Sequence, residues 1–517
     1  SEAALNDARE RSEEANRAKS HFLATISHEI RTPMNGVLGM ARLLLETSLA
    51  PDQKTYAEAI RQSGLSLLAL IEDILDFSKI ESGKLVLEQS DVALRPLIEG
   101  IAELLATRAF PKGIEIATAI EANVPRQIRS DGIRLRQVLT NLVGNAVKFT
   151  EQGGVLVSAS LSDEPGLGAQ LLISVRDTGI GVAPEKATQI FEDFVQADSS
   201  HARRFEGTGL GLAISKRLVH AMGGKIGVRP AYGRGSEFWV QLPLESAVSG
   251  KPSDPLVHRH AAIVSQSAIL GAGLTLQLAA AGARSTILRD LDSARRALER
   301  YDLILLDAAG GDDSLIDVKG LDTPVVALLP PDERERLTVL SERGVAAYLM
   351  KPIRQDSLET RCLAVLAGET EFAATPVQPP PERCAPSGLR ILLAEDNPVN
   401  ALLARELLRR RGHRVEAVTN GEAAVLACSL GRFDVVVMDV HMPGLDGIEA
   451  TLRIRRAETQ TGTNPVPIFA LTADALETGR RACLEAGMNG FLTKPVDPAD
   501  LDAMLAAIKP PIILAAE

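Results

Sequence analysis

Three kinds of sequence feature are missing from this 517-residue chain, and each absence excludes a class of protein. There is no apolar run of about eighteen residues and the opening segment is charged, so we expect neither a membrane span nor a signal peptide. Acidic residues outnumber basic ones by 67 to 56, and the net charge of -11 argues against binding to nucleic acid or membrane surfaces. These absences predict a cytoplasmic protein.

Cysteine is scarce as well, with only four residues in the chain. Their spacing does not suit a metal site, so we expect free thiols in a reducing compartment. Length divided by roughly 150 residues suggests three or four domains, and a hydrophobic content of 45% supports several packed cores. The chain begins at Ser1 rather than at methionine, which leaves a preceding sensor segment open.

The most informative motif is centred on His28, which is followed directly by Glu29 and, one helical turn later, by Thr32. On a helix these side chains share one edge. Neutral imidazole is a good nucleophile near pH 7, and a carboxylate at its other ring nitrogen fixes the tautomer. The run indicates a phosphoryl-accepting site, although an isolated His-Glu pair is more often a solvated surface pair.

The run from residue 22 to 35 resembles the phosphoacceptor box of sensor histidine kinases. In that family the histidine is phosphorylated on Nε2, the adjacent acid serves as base, and the residue four positions on places water for the reverse reaction. The resemblance therefore implies these roles for His28, Glu29 and Thr32. Pro33 is predicted to kink the helix just after the histidine.

Two helical segments accompany the box. Residues 1–20 have apolar positions at three- and four-residue steps and predict a signalling helix, although a merely solvated helix fits residues 1–15 nearly as well. Residues 53–79 form a second apolar-periodic run. One such hairpin exposes a broad apolar stripe, which two chains can bury in a four-helix bundle, so we predict a homodimer.

A first nucleotide motif lies between residues 131 and 150, where Asn141, Asn145 and Lys148 follow one another at helical spacing. The two amide oxygens lie on one face, which suits a magnesium ion that bridges triphosphate oxygens, and the lysine can reach a phosphate. Taken alone, the helix supports a purely structural role for both asparagines equally well.

Asp177 ends an apolar strand and is followed by Gly179 and Gly181. A carboxylate at that position can accept from the exocyclic amine of adenine, and the glycines let the backbone approach the base. Further on, a glycine-rich loop opens a helix, whose backbone N–H groups and dipole suit phosphate. Its glycines are Gly207, Gly209 and Gly211.

In this order the motifs of residues 91–245 resemble the ATPase domain shared by histidine kinases, gyrase-type ATPases and related chaperones. The resemblance implies an α/β sandwich, Asn145 as magnesium ligand with Asn141 and Lys148 beside it, and a lid over residues 182–206. Members of the family usually read Phe-Gly-Gly where this chain has Glu206 in the middle position.

Two later segments alternate short apolar strands with helical runs, which predicts doubly wound parallel sheets with sites at the strand carboxyl ends. Residues 389–517 resemble a response-regulator receiver domain. The resemblance implies that Glu395, Asp396 and Asp439 hold magnesium, that Asp439 is the phosphoryl acceptor, and that Lys494 and Thr472 contact phosphoryl oxygens. An acidic crevice without chemistry is the alternative.

The earlier copy, residues 257–368, keeps Asp307 and Lys351 but has Leu329 where the second copy has a threonine. The sequence Ser265-Gln266 replaces the acidic pair, so magnesium should bind poorly and we predict a pseudo-receiver.

A regulatory nucleotide site is a further hypothesis for this copy, with cyclic di-GMP as the first candidate ligand. A tyrosine ring can stack on a base, and guanidinium groups can contact phosphate or guanine. Scattered surface residues are the simpler interpretation. The candidate residues are Arg334, Tyr348, Pro352 and Arg354.

Together these patterns predict a multidomain protein and resemble a soluble hybrid sensor histidine kinase of bacterial two-component phosphorelays. ATP would phosphorylate His28, the phosphoryl group would pass to Asp439, and a separate histidine phosphotransfer protein would receive it. A silent or mainly phosphatase scaffold and a free-standing gyrase-type ATPase are the alternatives. The predicted segments are 1–20 (signalling helix), 21–90 (all-α dimerisation and phosphotransfer), 91–245 (α/β ATP-binding), 246–256 (linker), 257–368 (pseudo-receiver), 369–388 (proline-rich linker) and 389–517 (receiver).

Overall fold

A computed structural model describes most of the chain. It covers residues 22, 25–27, 29–45, 47–82, 85–164, 168–193, 195, 209–231, 235–244, 254–296, 300–310, 318, 321–369, 388–431, 433–472, 477–494 and 498–507. His28, Gly207 and the predicted signalling helix lie outside these residues. Among the described residues, no helix combines the length and the apolarity needed to cross a bilayer.

The phosphoacceptor segment forms a pair of helices. The first, α1, includes residues 29–45, and the second, α2, runs from Pro51 to Glu81, close to the predicted 53–79. The helices approach closely at Gly64, where an added Cβ would lie only 2.8 Å from Leu38 Cδ2. Several large apolar side chains of the pair remain exposed, namely Val37, Met40, Leu44, Ile60 and Leu67.

The ATP-binding domain contains a five-stranded sheet of order β2-β4-β5-β7-β6, in which only the β2-β4 pair is parallel, and a separate antiparallel β1-β3 pair. The predicted α/β domain is confirmed. Its elements are β1 (Ser90–Ala93), α3 (Leu94–Ala109), β2 (Ile114–Ile120), β3 (Gln127–Ser130), α4 (Gly132–Phe149), β4 (Gly153–Glu164), β5 (Gly168–Asp177), α5 (Gly211–Ala221), β6 (Lys225–Pro230) and β7 (Ser236–Pro243).

Strand alternation decides which side chains of β2 enter the main core of this domain. Ile114, Ile116 and Ile120 are buried among the apolar residues of α3 and α4. The intervening positions of β2 face the opposite side of the sheet, because successive side chains of a strand alternate. On that second side, Ala117 and Ala119 are also buried.

Residues 254–369, here called the middle domain, form a parallel five-stranded sheet of order β12-β11-β10-β8-β9 with an apolar core on each face. Its elements are β8 (His260–Val264), α6 (Ala268–Ala280), β9 (Arg284–Leu288), α7 (Leu291–Arg296), β10 (Leu303–Asp307), β11 (Val325–Leu329), α8 (Leu337–Glu342), β12 (Ala347–Met350) and α9 (Gln355–Leu366).

The receiver domain repeats this connectivity, with a parallel sheet of order β14-β13-β15-β16-β17. All carboxyl ends of the parallel strands meet at one edge, where the predicted acids lie. The elements are β13 (Arg390–Ala394), α10 (Pro398–Arg410), β14 (Arg414–Val418), α11 (Gly421–Leu430), β15 (Val435–Asp439), α12 (Gly447–Thr461), β16 (Ile468–Thr472), α13 (Glu477–Glu485), β17 (Gly490–Thr493) and α14 (Pro498–Ala507).

Three of the four cysteines lie within the described residues, and all three are free thiols. Burial raises the pKa of Cys362 to about 12 and that of Cys428 to about 11. These two thiols are therefore protonated near neutral pH and poorly nucleophilic.

Candidate nucleotide and phosphoryl-transfer sites

The predicted partners of His28 lie on α1. Glu29 and Thr32 are both exposed on this helix, three residues apart and therefore on one face. His28 itself is outside the described residues, so its predicted role stays a prediction.

The nucleotide site begins with helix α4, which Asp131 caps by accepting from the backbone N–H of Ile133 at 3.1 Å and of Arg134 at 3.0 Å. Further along α4, the Nδ2 group of Asn145 donates to Asn141 Oδ1 at 3.4 Å. The structure thus places both amides on one half-buried face of the helix, as their spacing predicted.

Helix α5 begins beside that amide face. A Cβ on Gly211 would lie 2.6 Å from Asn141 Oδ1, so only glycine allows α5 to start this close. Gly209 has a φ of 71°, in the left-handed region that favours glycine. Gly211 thereby holds the N-terminus of α5 against Asn141, and such a helix N-terminus can bind an anion.

Ser215 is a site residue that the sequence did not reveal. Its Oγ accepts from Asn141 Nδ2 at 2.9 Å and donates to the Gly211 carbonyl at 2.8 Å. Serine on a helix carries no motif signal of its own, and only the packing of α5 on α4 assigns it a role. It orients the amide that faces Asn145.

Asp177 lies buried at the end of β5, and its Oδ1 accepts from the backbone N–H of Gly179 at 2.8 Å and of Ser236 at 3.2 Å. Burial raises the pKa of this carboxyl, while the two N–H groups act against the shift. Neither bond uses Oδ2, which is therefore the oxygen available to a base amine.

The glycines after Asp177 allow close backbone approach. A Cβ on Gly179 would lie 2.4 Å from the Phe149 carbonyl oxygen, and Gly181 has a φ of 77°. Lys148 places its Nζ 5.1 Å from the centre of the Phe149 ring, in the turn of α4 that follows Asn145. A carboxylate, two amides, a lysine and a glycine-opened helix are an oxygen- and phosphate-binding set that fits ATP with magnesium.

The receiver pocket brings together the residues predicted from the strand ends. Ligand oxygens of Glu395, Asp396 and Asp439 all lie within 4.8 Å of one another. Lys494 Nζ lies 2.5 Å from Asp439 Oδ2 and 2.6 Å from Glu395 Oε2. Three carboxylates are an all-oxygen donor set that suits magnesium.

Hydrogen bonds orient the buried acids of this pocket. Asn400, which the sequence did not single out, donates from Nδ2 to Glu395 Oε1 at 3.0 Å. The backbone N–H of His441 donates to Asp439 Oδ1 at 3.0 Å. Burial raises the pKa of Glu395, and the adjacent Lys494 ammonium opposes that change. Thr472 ends β16, as predicted.

The corresponding edge of the middle domain has a different chemistry. Asp307 accepts from Ser265 Oγ at 2.7 Å through Oδ2, and Lys351 Nζ lies 2.7 Å from Oδ1. Leu329 ends β11 where the receiver has Thr472. Both carboxylate oxygens of Asp307 therefore have partners. Ser265 stands where a magnesium site like that of the receiver would need an acid.

The candidate regulatory residues of the middle domain are occupied by protein contacts or exposed. Tyr348 has the guanidinium of Arg361 5.7 Å from its ring centre. Arg354 forms a bidentate pair with Glu103 of α3, and its second bond, from Nη2 to Oε2, measures 2.5 Å. Arg334 is exposed and Pro352 half-buried.

Comparisons with known proteins identify three domain types in this chain. Residues 18–83 match the His Kinase A (phospho-acceptor) domain, residues 130–246 the histidine kinase-, DNA gyrase B- and HSP90-like ATPase, and residues 391–506 the response regulator receiver domain. The sensor protein GacS of Pseudomonas syringae pv. syringae is 39% identical over 96% of this chain and 56% of its own length.

The signal transduction histidine-protein kinase BarA of Escherichia coli K12 is 34% identical over 98% of this chain and 55% of its own length. This chain thus spans about half the length of the curated relatives it matches. The crystal structure of full-length ShkA in complex with AMPPNP is 42% identical, covers 94% of this chain and 99% of that one, and has a TM-score of 0.59. The chain belongs to the hybrid histidine kinases, the protein-histidine kinases that carry a receiver domain in the same polypeptide.

Proposed function

We propose that this chain autophosphorylates on His28 with ATP and passes the phosphoryl group to Asp439. The observation that carries the proposal is the pairing, in one polypeptide, of an oxygen-rich nucleotide site around Asn145 and Asp177 with a three-carboxylate pocket. A free-standing ATPase has no use for the second pocket.

In the first step, His28 Nε2 attacks the γ-phosphorus of ATP, the bond from that phosphorus to the bridging oxygen breaks, and ADP leaves. Glu29 accepts the proton of the other ring nitrogen as positive charge develops. Asp177 and the loop at Gly209 hold the base and the phosphates in place, so positioning contributes most of the rate. Thr32 orients water in the reverse reaction.

In the second step, a carboxylate oxygen of Asp439 attacks the phosphorus of phosphohistidine, the electron pair of the phosphorus–nitrogen bond returns to Nε2, and the proton held by Glu29 returns to the ring, so that His28 leaves as neutral imidazole. Lys494 and Thr472 contact the phosphoryl oxygens. When bound at Glu395, Asp396 and Asp439, magnesium neutralises charge on those oxygens. A histidine phosphotransfer protein is the proposed next acceptor.

The test uses γ-labelled ATP and magnesium with the wild-type chain, His28→Ala and Asp439→Ala. Label on Asp439→Ala that is stable to alkali and absent from His28→Ala supports autophosphorylation of the histidine. Label on the wild type that becomes alkali-labile supports transfer to Asp439. Nucleotide binding without any label would contradict the kinase proposal and favour a silent scaffold.

The exposed apolar side chains of the helix pair support a homodimer as the working form. Val37, Met40 and Leu44 of α1 are each more than 40% exposed, as are Ile60 and Leu67 of α2. A second copy can bury both helices in a four-helix bundle. Sedimentation equilibrium tests this, and a monomer at micromolar concentration would contradict it.

For the middle domain we propose a pseudo-receiver role with a small nucleotide, cyclic di-GMP, as a regulatory ligand. The support is the serine at position 265 in place of an acid, together with the placement of Tyr348 in β12 and of Arg354 at the N-cap of α9, a few residues further along the chain. A ligand that takes Arg354 must displace Glu103. Calorimetry with cyclic di-GMP, beside Tyr348→Ala, tests the proposal, and no heat with the wild-type chain would refute it.

A further inference from the structure

The outer face of the ATP-binding sheet is covered by a helix of the middle domain. Ala117 and Ala119 of β2 and Leu156 of β4 form a buried apolar cluster with Ile269 of α6. These β2 residues alternate with the isoleucines of the main core, so strand β2 is apolar on both faces. Helix α6 therefore adds a third layer to the two-layer ATP-binding domain at this edge.

Small residues make this approach possible. A Cβ on Gly273 of α6 would lie 2.8 Å from Ala117 Cβ, closer than two carbon atoms tolerate. On the other side, a Cβ on Gly154 of β4 would lie 3.1 Å from Ile269 Cβ. The two surfaces are complementary at the level of single methyl groups, which is typical of a permanent contact.

Hydrogen bonds and an ion pair also join these two domains, and a bond within the middle domain supports them. Gln355 donates its backbone N–H to Glu99 Oε1 at 3.0 Å, and both residues are buried. Gln277 of α6 donates to the Ile353 carbonyl at 2.9 Å, which ties α6 to the segment that carries Arg354. Arg354 in turn pairs with Glu103 of α3.

Glu115 of β2 reaches the edge of the middle-domain sheet that carries Asp307 and Lys351. Lys351 Nζ lies 2.7 Å from Glu115 Oε2 and 2.7 Å from Asp307 Oδ1, and the lysine side chain is only 1% exposed. The Glu115 carboxylate thus contacts Lys351. The counterpart of this lysine in the receiver domain is Lys494, which contacts Asp439. The Glu115 carboxylate therefore takes a hydrogen bond from the Lys351 ammonium, which could otherwise donate to a phosphoryl oxygen.

We propose that Glu115, Asp307 and Lys351 form an interdomain ion cluster that joins the ATP-binding domain and the middle domain into one body. In this arrangement Asp307 and Lys351 are retained as the binding site for a carboxylate of the same chain, not for a phosphoryl group. The partner of the middle domain is the edge of the ATP-binding sheet, and both domains move together during catalysis.

The opposite charges of Lys351 and its two carboxylate partners stabilise this ion cluster. Burial alone lowers the pKa of Lys351, but the Glu115 and Asp307 carboxylates outweigh it and hold that pKa above its ordinary value. The lysine is therefore charged across the working pH range. A cation this deeply buried is costly without both partners, so removal of either carboxylate exposes that cost.

Hydrogen–deuterium exchange of the full-length chain, read by mass spectrometry, tests the proposal. Glu115→Gln removes the charge and keeps the size, and Gly273→Ala places a methyl group against Ala117. We expect both to raise exchange of β2 and α6 at least about tenfold and to leave α4 and β5 protected. Each has a matched control: Glu121→Gln, exposed just beyond β2, and Gly271→Ala, which on α6 faces Ile287.

The controls should leave β2 at its wild-type exchange. Unchanged protection of β2 and α6 in both Glu115→Gln and Gly273→Ala would overturn the proposal. So would loss of protection in α4 and β5 together with β2, because Glu115 would then be a core residue of the ATP-binding domain. The measurement does not depend on catalysis, so it stands apart from the proposed kinase activity.

Discussion

The proposed role of Asp177 in base recognition can be tested by replacing one carboxylate oxygen with an NH2 group. Its Oδ1 accepts from Gly179 N–H at 2.8 Å and from Ser236 N–H at 3.2 Å. In Asp177→Asn the amide oxygen must keep that position, because an NH2 group there would face two donors. The NH2 group therefore replaces Oδ2. If Oδ2 accepts from the base amine of ATP, two hydrogen-bond donors then face each other in the variant, and the hydrogen bond is lost.

The expected effect follows from this arrangement. A hydrogen bond to a charged group contributes roughly 1.5–3 kcal/mol, so the Kd for ATP should rise about 10- to 150-fold. Inosine triphosphate carries a carbonyl acceptor where ATP has the amine. The variant should therefore bind inosine triphosphate about tenfold more tightly than the wild type does, which reverses the preference.

The assay is calorimetric titration of both nucleotides with magnesium, together with urea unfolding. Stability should change by less than about 1 kcal/mol, since both N–H groups keep an acceptor. Asp91→Asn is the control, because the Asp91 side chain is 70% exposed on β1. Equal loss of affinity for ATP and inosine triphosphate would refute recognition of the base amine by Asp177.

Three further predictions concern stability and the receiver. Burial and the nearby Asp76 and Glu72 raise the pKa of Asp73 to about 6. The unfolded chain therefore loses this proton at a lower pH than the folded chain does, and the free energy of unfolding of the wild type falls as the pH rises to about 6. After discount for partial exposure, Asp73→Asn should be about 1 kcal/mol more stable than wild type in urea unfolding at about pH 8 and equal below about pH 4. Lys494→Met should bind magnesium about tenfold more tightly and transfer phosphate at least about 100-fold more slowly, measured by metal titration and by phosphotransfer. Leu142→Ala, at a position 1% exposed, should cost about 3 kcal/mol in unfolding free energy and Leu104→Ala, at a position 62% exposed, under about 0.5 kcal/mol.

Each of these outcomes has a clear opposite. A pH-independent difference between Asp73→Asn and wild type would assign the effect to packing, not to ionisation. Weaker magnesium binding by Lys494→Met would mean that the ammonium group orders the carboxylates of the pocket. Similar costs at Leu142 and Leu104 would contradict the burial of α4 in the main core.

Sequence reasoning worked best where a local pattern controls the structure. The apolar periodicity of residues 53–79 predicted α2 to within two residues at either end. The predicted strand ends at Asp439 and Thr472 are the ends of β15 and β16, because apolar runs there stop at polar residues. The shared face of Asn141 and Asn145 followed from helical spacing alone.

It failed where the partner is far away in the chain. Ser215 bonds to Asn141 across 74 residues, and Glu115 pairs with Lys351 across 236 residues. An isolated serine or glutamate in a helix or strand carries no signal of its partner. The positions of His28 and Gly207, the domain boundaries and a cytoplasmic location stay predictions.

The sequence by itself determined which residue types are available for the proposed chemistry, since the histidine box, the amide and glycine motifs and the acids at the strand ends are local patterns that can be recognised without the fold. The tertiary structure alone decided the contacts of the middle domain. The same aspartate and lysine can hold a phosphoryl group or a carboxylate, and which one they hold depends on what the fold places beside them. Here β2 presents Glu115 to Lys351. Only packing in three dimensions brings that carboxylate to the buried ammonium, because electrostatic attraction acts through space and not along the chain.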